Sequence, residues 1–154
     1  MKPILFRVKE EIINGINYRL NDWTKTAEVI KKSGGYEGDI VIPEAVVFNE
    51  RTHRVTSIGK EAFAFCYPLT SITIPDSVKS IGWKAFLDCV PLKEICIPNS
   101  VTSIGRHAFD GCDSLLSFRY QGTLAQWEKI ELGYFWKTLL PTAVLHCTDG
   151  DVKV

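Results

Sequence analysis

The sequence predicts an α/β-type solenoid of mostly short parallel strands, with short helical or irregular turns on the opposite side of each coil. Two observations predict it: a segment that recurs every 23 residues, and a short alternating apolar stretch inside each recurrence, which a proline follows in the first two. One such unit cannot bury its apolar face alone, whereas stacked units form a continuous core. A stack exposes its core at both ends, so we expect a single domain with N- and C-terminal caps.

The three units begin at Val55, Val78 and Val101 and share the pattern S-I-G-x-x-A-F-x-x-C-x-x-L. The seven specified positions of this pattern are identical in all three units, which chance does not produce. After the leucine, alternating apolar residues such as Ile72 and Ile74 indicate a strand, and the following proline ends it. The recurrent glycine is predicted where the backbone needs positive φ or a close approach. The Ala-Phe-x-x-Cys segment is long enough for a single helical turn only.

The whole unit, S-I-G-x-x-A-F-x-x-C-x-x-L-x-x-I-x-I-P, resembles the BspA-type leucine-rich repeat of bacterial surface proteins. Residues 38–43 are similar to the opening strand of such domains, and residues 122–127 with 146–150 are similar to their closing segment. The resemblance covers roughly residues 15 to 150. It implies a leucine-rich-repeat fold, surface display, adhesion and protein binding, without indicating one ligand.

The chain is expected to divide into five parts along its length. These are a leader that could be a helix, an extra strand or disordered (1–13), an N-terminal cap with hairpins and an opening coil (14–54), three 23-residue leucine-rich repeats (55–123), a C-terminal closing coil (124–150) and a tail (151–154).

Both caps have predictable features. In the N-terminal cap, residues 17–20 and 26–30 alternate like two strands, and residues 46–48 and 53–55 are expected to pair as a hairpin. In the closing coil, an unbroken register would place Trp127 opposite Ile104 and Leu132 opposite Phe109. We interpret the aromatic cluster after it as an end cap rather than a ligand cage. This cluster comprises Tyr134, Phe135 and Trp136.

Composition excludes several classes of partner. The 18 basic and 18 acidic residues give no net charge, and no run of like charges occurs, so we expect neither nucleic-acid binding nor a basic tail for membranes. No apolar stretch is long enough to span a bilayer, so we expect no membrane insertion. The apolar segment at the start of the chain is too short, and the residues around it are too charged, for a signal peptide. The resemblance therefore implies an extracellular or cell-surface protein whose signal was removed, and the alternative is a cytoplasmic protein. We expect a monomer.

The five cysteines do not indicate a metal site or a disulfide framework. Cys66, Cys89 and Cys112 share one repeat position and are predicted to form a buried ladder of small apolar side chains. Cys96 is predicted to be an exposed thiol on a strand, and Cys147 is predicted to point inward. The sequence has no C-x-x-C pair, no nucleophile elbow and no phosphate-binding glycine loop. We therefore predict no enzyme, no cofactor, and no catalytic, cofactor-binding or metal residues.

The outward strand positions are the candidate partner-binding sheet face, because a solenoid presents them as a ribbon on a rigid backing. This face comprises Ser71, Thr73, Glu94, Cys96, Ser117, Arg119 and His146. Its mixed small and charged residues suit a protein partner better than a stacking platform for sugars or bases. The sequence thus predicts a non-enzymatic, adhesion-type protein-interaction module. The alternative is a structural spacer or scaffold with no specific ligand of its own.

Overall fold

The computed structural model of the protein describes residues 7–137 and 142–154. It is a β-solenoid of about four turns with little helix. Within the described residues, the elements in chain order are β1 (Val8–Ile13), β2 (Ile16–Asn21), β3 (Thr26–Val29), β4 (Gly38–Val41), β5 (Ala45–Phe48), β6 (Arg51–Ile58), β7 (Leu69–Thr73), β8 (Ser80–Ile81), β9 (Glu94–Ile97), β10 (Ser103–Ile104), β11 (Ser117–Tyr120), α1 (Leu124–Trp127), β12 (Glu131–Leu132), β13 (Val144–Cys147) and β14 (Gly150–Lys153).

One wall of the solenoid is a sheet with the strand order β1-β2-β3-β6-β8-β10-β12, and β5 pairs with β6 beside it. The pairing is antiparallel among β1, β2 and β3 and parallel from β3 onwards. Residues 8–13 of the expected leader are therefore an extra strand, the second of the three possibilities, while residues 1–6 lie outside the described residues.

The opposite wall consists of two hydrogen-bonded sheets. Strands β4 and β7 form one, and β9, β11, β13 and β14 form the other. Strand β14 runs antiparallel to β13, so residues 151–153, which the sequence assigned to a tail, belong to a strand that covers the last parallel strand of this wall.

The two predicted pairs of strands in the N-terminal cap are confirmed. Strands β2 and β3 are antiparallel, and so are β5 and β6. The second hairpin is tighter than the four-residue connection that the sequence suggested, because Phe48 lies opposite Arg51. Asn49 and Glu50 form the turn with φ of 48° and 62°. Two consecutive residues with positive φ are typical of the type I′ turn, whose twist matches that of the strands.

The predicted register of the closing coil is wrong. Leu132, not Trp127, lies opposite Ile104, and Lys137 lies opposite Phe109. Helix α1 lies before this point, capped by Thr123, whose side chain accepts a hydrogen bond from the Gln126 amide. A helix advances about 1.5 Å per residue against about 3.3 Å for a strand, so it takes up extra residues without lengthening the coil.

The turns between the two walls are irregular rather than helical, and they bond to the neighbouring coil. The amide of Phe63 donates to the Ala85 carbonyl at 2.7 Å, and the amide of Phe86 donates to the Ala108 carbonyl at 2.8 Å. The amides of intervening residues bond within the turn, as Cys66 does to the Phe63 carbonyl at 3.2 Å. Successive coils are therefore joined by backbone hydrogen bonds on the turn side as well as along both walls.

The core contains a row of aromatic rings along the solenoid axis. The rings of Phe63, Phe86 and Phe109 are stacked in parallel with centroids 5.1 Å apart at each step. Tyr36 continues the row at one end, with its centroid 4.6 Å from that of Phe63, and Trp136 contacts Phe109 edge-on at the other. The row shows how each cap closes the core with a ring of its own.

The recurrent glycine is required for close approach and not for positive φ. A Cβ atom on Gly82 would lie 2.8 Å from the carbonyl carbon of Gly59, and one on Gly105 would lie 2.6 Å from the amide nitrogen of Trp83. Both contacts are with backbone, which cannot move aside without separating the coils. The glycines thus set the spacing of the stack.

We expect Gly105→Ala to lower the free energy of unfolding by about 2–3 kcal/mol, because the added methyl group overpacks a rigid contact. Gly15→Ala is the control: Gly15 has φ of 83° but nothing within 4 Å of its Cβ position, so about 1 kcal/mol of backbone strain is expected. Urea unfolding followed by tryptophan fluorescence measures both. Equal losses in the two variants would contradict the close-approach role.

A partly buried ion cluster joins β1 and the turn between β2 and β3 to the hairpin of β5 and β6. The Asp22 carboxylate accepts from His53 Nε2 at 2.7 Å and lies 3.4 Å from Lys9 Nζ and 3.3 Å from Arg51 Nη1. Burial alone would raise the pKa of Asp22, but hydrogen bonds from His53 and Lys9 and the charges of Lys9 and Arg51 hold the pKa below its usual value. The His53 side chain is fully buried, so its Nε2 depends on this carboxylate, while its Nδ1 lies 3.2 Å from the Arg51 carbonyl oxygen.

We expect Asp22→Asn to destabilise the protein by about 2 kcal/mol near neutral pH, because a charge-assisted hydrogen bond to a buried ring is weakened. The folded-state pKa lies below the unfolded value of about 3.9, so the carboxylate stabilises fully above that pH and its contribution is lost as the pH falls through the folded value. Urea unfolding at a series of pH values should show the gap between wild type and variant narrowing in acid. Exposed Asp113→Asn is the control, and a gap of constant size would refute the ion cluster.

Candidate functional site

The structure aligns the predicted sheet face as expected from the repeat. Arg119 lies between Cys96 and His146 on neighbouring strands, and Ser117 lies opposite Glu94. The remaining two predicted residues, Ser71 and Thr73, pair with β4 in the adjacent two-stranded sheet. The face is therefore brought together in two parts, five residues on the sheet of β9, β11 and β13 and two on β7.

The charged groups of this face pair with one another across strands. Arg119 Nε lies 2.9 Å from Glu94 Oε1, and the Ser117 hydroxyl donates to the other oxygen of Glu94 at 3.3 Å. His146 Nδ1 lies 2.9 Å from Asp151 Oδ1, so β14 contributes a residue that the sequence did not single out. The face is consequently polar, with its side chains held in position by one another.

An additional carboxylate extends the face towards β4. Asp39 accepts hydrogen bonds from the hydroxyls of Ser71 at 2.7 Å and Thr70 at 3.1 Å. These two bonds lower the pKa of Asp39 below its usual value. The carboxylate is thus oriented along the strand, and its negative charge persists into mildly acidic solution.

Cys96 is half-buried rather than exposed, which corrects the expectation of a freely accessible thiol. Burial raises the pKa of its thiol, and the charge of Glu94 raises the pKa further against the opposing effect of Arg119. Cys147 is also half-buried, and burial together with Asp149 and Asp151 raises its pKa. Neither thiol is activated as a nucleophile, since the thiolate is the reactive form.

The cysteine ladder is confirmed. Cys66, Cys89 and Cys112 are buried and unpaired by disulfides. The Cys89 thiol donates to the Phe63 carbonyl at 3.1 Å, and the Cys112 thiol donates to the Phe86 carbonyl at 2.9 Å. The thiols of Cys89 and Cys112 thereby each add one hydrogen bond to the preceding coil, a role beyond that of a small apolar side chain.

In residues 7–137 and 142–154, no group of three or more His, Cys, Asp or Glu side chains is placed to hold a metal ion. Over the same ranges, no helix has the length and apolar character needed to cross a lipid bilayer.

A second surface, on the turn side of the solenoid, was missed by the sequence reasoning. The residue after each recurrent glycine is exposed, and backbone bonds between coils align these residues. We call the set the post-glycine row, and it comprises Lys60, Trp83, Arg106 and Tyr134. The two unspecified positions between Gly and Ala in the repeat were the signal that could have revealed it, because they vary while their neighbours do not.

The comparison with protein families decides the family of this chain. Residues 45–148 match the BspA type leucine-rich repeat region in six copies. The chain belongs to this family. The BspA-type repeats therefore extend beyond the three regular units, into the hairpin of β5 and β6 and through the closing coil to β13.

Solved structures share the BspA-type fold. A leucine-rich repeat protein from Bacteroides capillosus has a TM-score of 0.71 and 25% identity, with 90% of this chain and 97% of that chain covered. One from Bacteroides ovatus has a TM-score of 0.67 and 28% identity over 88% of this chain and 37% of that chain. A leucine rich cell surface protein from Faecalibacterium prausnitzii, at 24% identity and a TM-score of 0.61, shares the fold over 82% of this chain and 42% of that chain.

This chain thus spans about two fifths of the length of the Bacteroides ovatus and Faecalibacterium prausnitzii proteins. No curated protein matches it.

We expect two slow thiols and three protected ones in the folded BspA-type domain. Cys96 and Cys147 should react slowly with a disulfide reagent at pH 8, and Cys66, Cys89 and Cys112 should react only on unfolding. Because Glu94 raises the pKa of Cys96, Glu94→Gln should accelerate labelling of Cys96 and leave Cys147 unchanged. Mass spectrometry of the labelled peptides measures both rates. Fast labelling of the ladder would contradict its burial.

Proposed function

We propose that this chain is a non-enzymatic protein-interaction module of an extracellular or cell-surface protein, with the sheet face as its docking surface. The observation that carries the proposal is the arrangement of outward side chains from successive parallel strands on a continuous core. Such a surface keeps its shape when a partner binds, so little conformational entropy is lost on association. The proposed partner is a protein, and the proposed free state is a monomer.

The chemistry of the sheet face supports a protein partner. Hydrogen-bond donors and acceptors lie side by side on its neighbouring strands, as Glu94, Ser117 and Arg119 do. The bonds among these three side chains hold them in fixed positions. A partner with complementary polar groups can exchange these contacts for its own, and charge complementarity would set the register of the complex. A face of mixed charge such as this offers no continuous basic track for a nucleic-acid backbone.

The surface location rests on two supports. The family resemblance implies display at the cell surface, and the structurally similar protein from Faecalibacterium prausnitzii is described as a leucine rich cell surface protein. We extend that location to this chain as a proposal, together with an adhesion-type role.

A spacer without a ligand of its own is the second candidate function. The observation that favours it is the internal pairing of the face: Arg119 with Glu94, and His146 with Asp151. A surface whose charges are already matched gains less from a partner, because its existing contacts must first be broken.

Binding to extracellular proteins of the host or of neighbouring bacteria would test the proposal. The immobilised domain is compared with a variant carrying Glu94→Ala, Arg119→Ala and His146→Ala. The matched control alters three exposed polar residues on the opposite wall, with Lys79→Ala, Thr102→Ala and Glu131→Ala. Once a captured protein is identified and purified, calorimetry should show at least about tenfold weaker binding to the sheet-face variant.

Unchanged affinity of the sheet-face variant would overturn the docking surface. Equal losses in both variants would show that the effect is not specific to the face. Absence of any purified partner that binds directly would favour the spacer. Circular dichroism of all three proteins confirms that the repeats remain folded.

A further inference from the structure

The turns of the solenoid bond to one another in one direction only. Between the recurrent glycine and the recurrent cysteine, the amides that reach another coil donate to the coil that follows. In the first repeat, the amides of Glu61, Phe63 and Phe65 donate to the carbonyls of Trp83, Ala85 and Leu87 at 2.9, 2.7 and 2.7 Å. The second repeat bonds to the third in the same way. Each turn therefore has a donor edge that faces the next coil and an acceptor edge that faces the previous one.

The acceptor edge of the first turn is open. It consists of the carbonyls of Lys60, Ala62 and Ala64, which lie one repeat before the three acceptors just described. Within residues 7–137 and 142–154, no group donates to the carbonyls of Lys60 and Ala62, and Ala64 receives only the Cys66 thiol at 4.0 Å. Ala62 and Ala64 are buried residues. An unpaired backbone carbonyl in such a place costs free energy, so this edge favours a ligand that supplies donors.

A short loop in the N-terminal cap is the cause of this opening. The connection between β3 and β4 spans residues 30–37, whereas the connection between β6 and β7 spans residues 59–68 and is two residues longer. The amide of Tyr36 in the short loop donates to the Cys66 sulfur at 3.4 Å instead of to a carbonyl. A cavity of about 450 Å³ lies between the loop and the first turn, lined by residues 31–35 and by Ala62, Ala64, Phe65 and Cys66. We call this cavity the notch.

The notch is positively charged. Among the described residues that line it, the charged ones are Lys31 and Lys32. Neither lysine takes part in an ion pair within the described ranges. The ammonium groups lie 5.9 Å from the Phe65 ring centroid and 5.6 Å from the Tyr36 ring centroid, and such contacts leave the charge of a lysine in place. A ligand in the notch thus meets carbonyl acceptors on one side and two cations on the other.

We propose that the notch binds an acidic segment of a protein partner through the backbone amides of that segment. N–H groups of alternate residues donate to Lys60, Ala62 and Ala64, as the amides of one turn donate to the next. Carboxylate side chains of the segment face Lys31 and Lys32. In this mode of recognition, main-chain bonds to an open edge give affinity and side chains give selectivity. The notch is a second docking surface, independent of the sheet face.

Other ligands satisfy only one side of the notch. Inorganic phosphate and simple carboxylic acids pair with lysines but have no N–H groups for the carbonyls. A basic segment supplies N–H groups, but Lys31 and Lys32 repel it. An acidic segment satisfies both sides, and the cavity of about 450 Å³ lies within the range of roughly 300–1,000 Å³ that is typical of ligand sites.

Calorimetry with the peptide acetyl-Glu-Val-Glu-Val-Glu-amide tests the proposal, because valine favours an extended backbone. We expect binding that weakens as salt is raised. The peptides with glutamine or lysine in place of glutamate should bind at least about tenfold more weakly. Two further peptides carry N-methyl groups on the glutamate amides or on the valine amides. Because only alternate amides face the edge, one of these two should lose binding at least about tenfold and the other should bind nearly as the parent.

The variant with Lys31→Ala and Lys32→Ala should bind the parent peptide at least about tenfold more weakly and with a smaller dependence on salt. The matched control carries Lys79→Ala and Lys93→Ala, which alter two exposed lysines outside the notch. The control and the sheet-face variant should bind the peptide normally, so failure of the notch and failure of the sheet face are distinguishable. If the double variant fails to fold by circular dichroism, Lys31→Glu replaces it as a single surface change with the same expected loss.

Absence of peptide binding at low ionic strength would overturn the proposal. Equal effects of the two N-methylated peptides, whether full binding or full loss, would contradict the role of the carbonyl edge. Equal losses in the notch variant and its lysine control would indicate general attraction to positive charge. Competition by inorganic phosphate at the same concentration as the peptide would reduce the notch to an anion site.

Discussion

The close approach of successive coils on the turn side is the constraint on which the rest of the structure depends. Where Gly59, Gly82 and Gly105 meet, backbone contacts leave no room for a Cβ atom. That approach lets the amides of the turns reach carbonyls of the next coil and lets the phenylalanine rings stack at 5.1 Å. A wider spacing between coils would break these hydrogen bonds and open the core together. The glycines, the ladder of thiols and the ring stack therefore all depend on the same close approach. The alignment of the outward side chains also follows from this close approach of the coils.

The repeat region could be predicted from the sequence because each identical residue there has one dominant physical role. Ala85, Phe86 and Cys89 face the core, the proline ends the strand, and the glycine permits contact between coils. The caps were less predictable because they occur once, and no second copy shows which residues are constrained. The register of the closing coil failed for this reason: helix α1 takes up residues that a strand would not. The pairing of β14 with β13 was likewise not predictable, because β14 lies outside the repeats.

The candidate site likewise has a part inside the repeats that could be predicted and a part outside them that could not. The alignment of Glu94, Ser117 and Arg119 followed from the repeat period alone, and the structure reproduces it. The pairing of His146 with Asp151 did not, because Asp151 comes from a strand outside the repeats. The post-glycine row was missed because attention to identical residues selects the core, whereas outward side chains occupy the variable positions of the repeat.

The two ends of the described chain lie at opposite ends of the stack, with β1 at the edge of one wall and β14 at the edge of the other. Tension applied through the termini therefore acts along the solenoid axis, the direction in which the hydrogen bonds between coils point. Coils would separate one after another from an end, rather than all sharing the load. Each released coil of 23 residues would add up to about 80 Å of extended chain. Under shear, such a domain would lengthen in steps and absorb a pull gradually instead of failing as a whole.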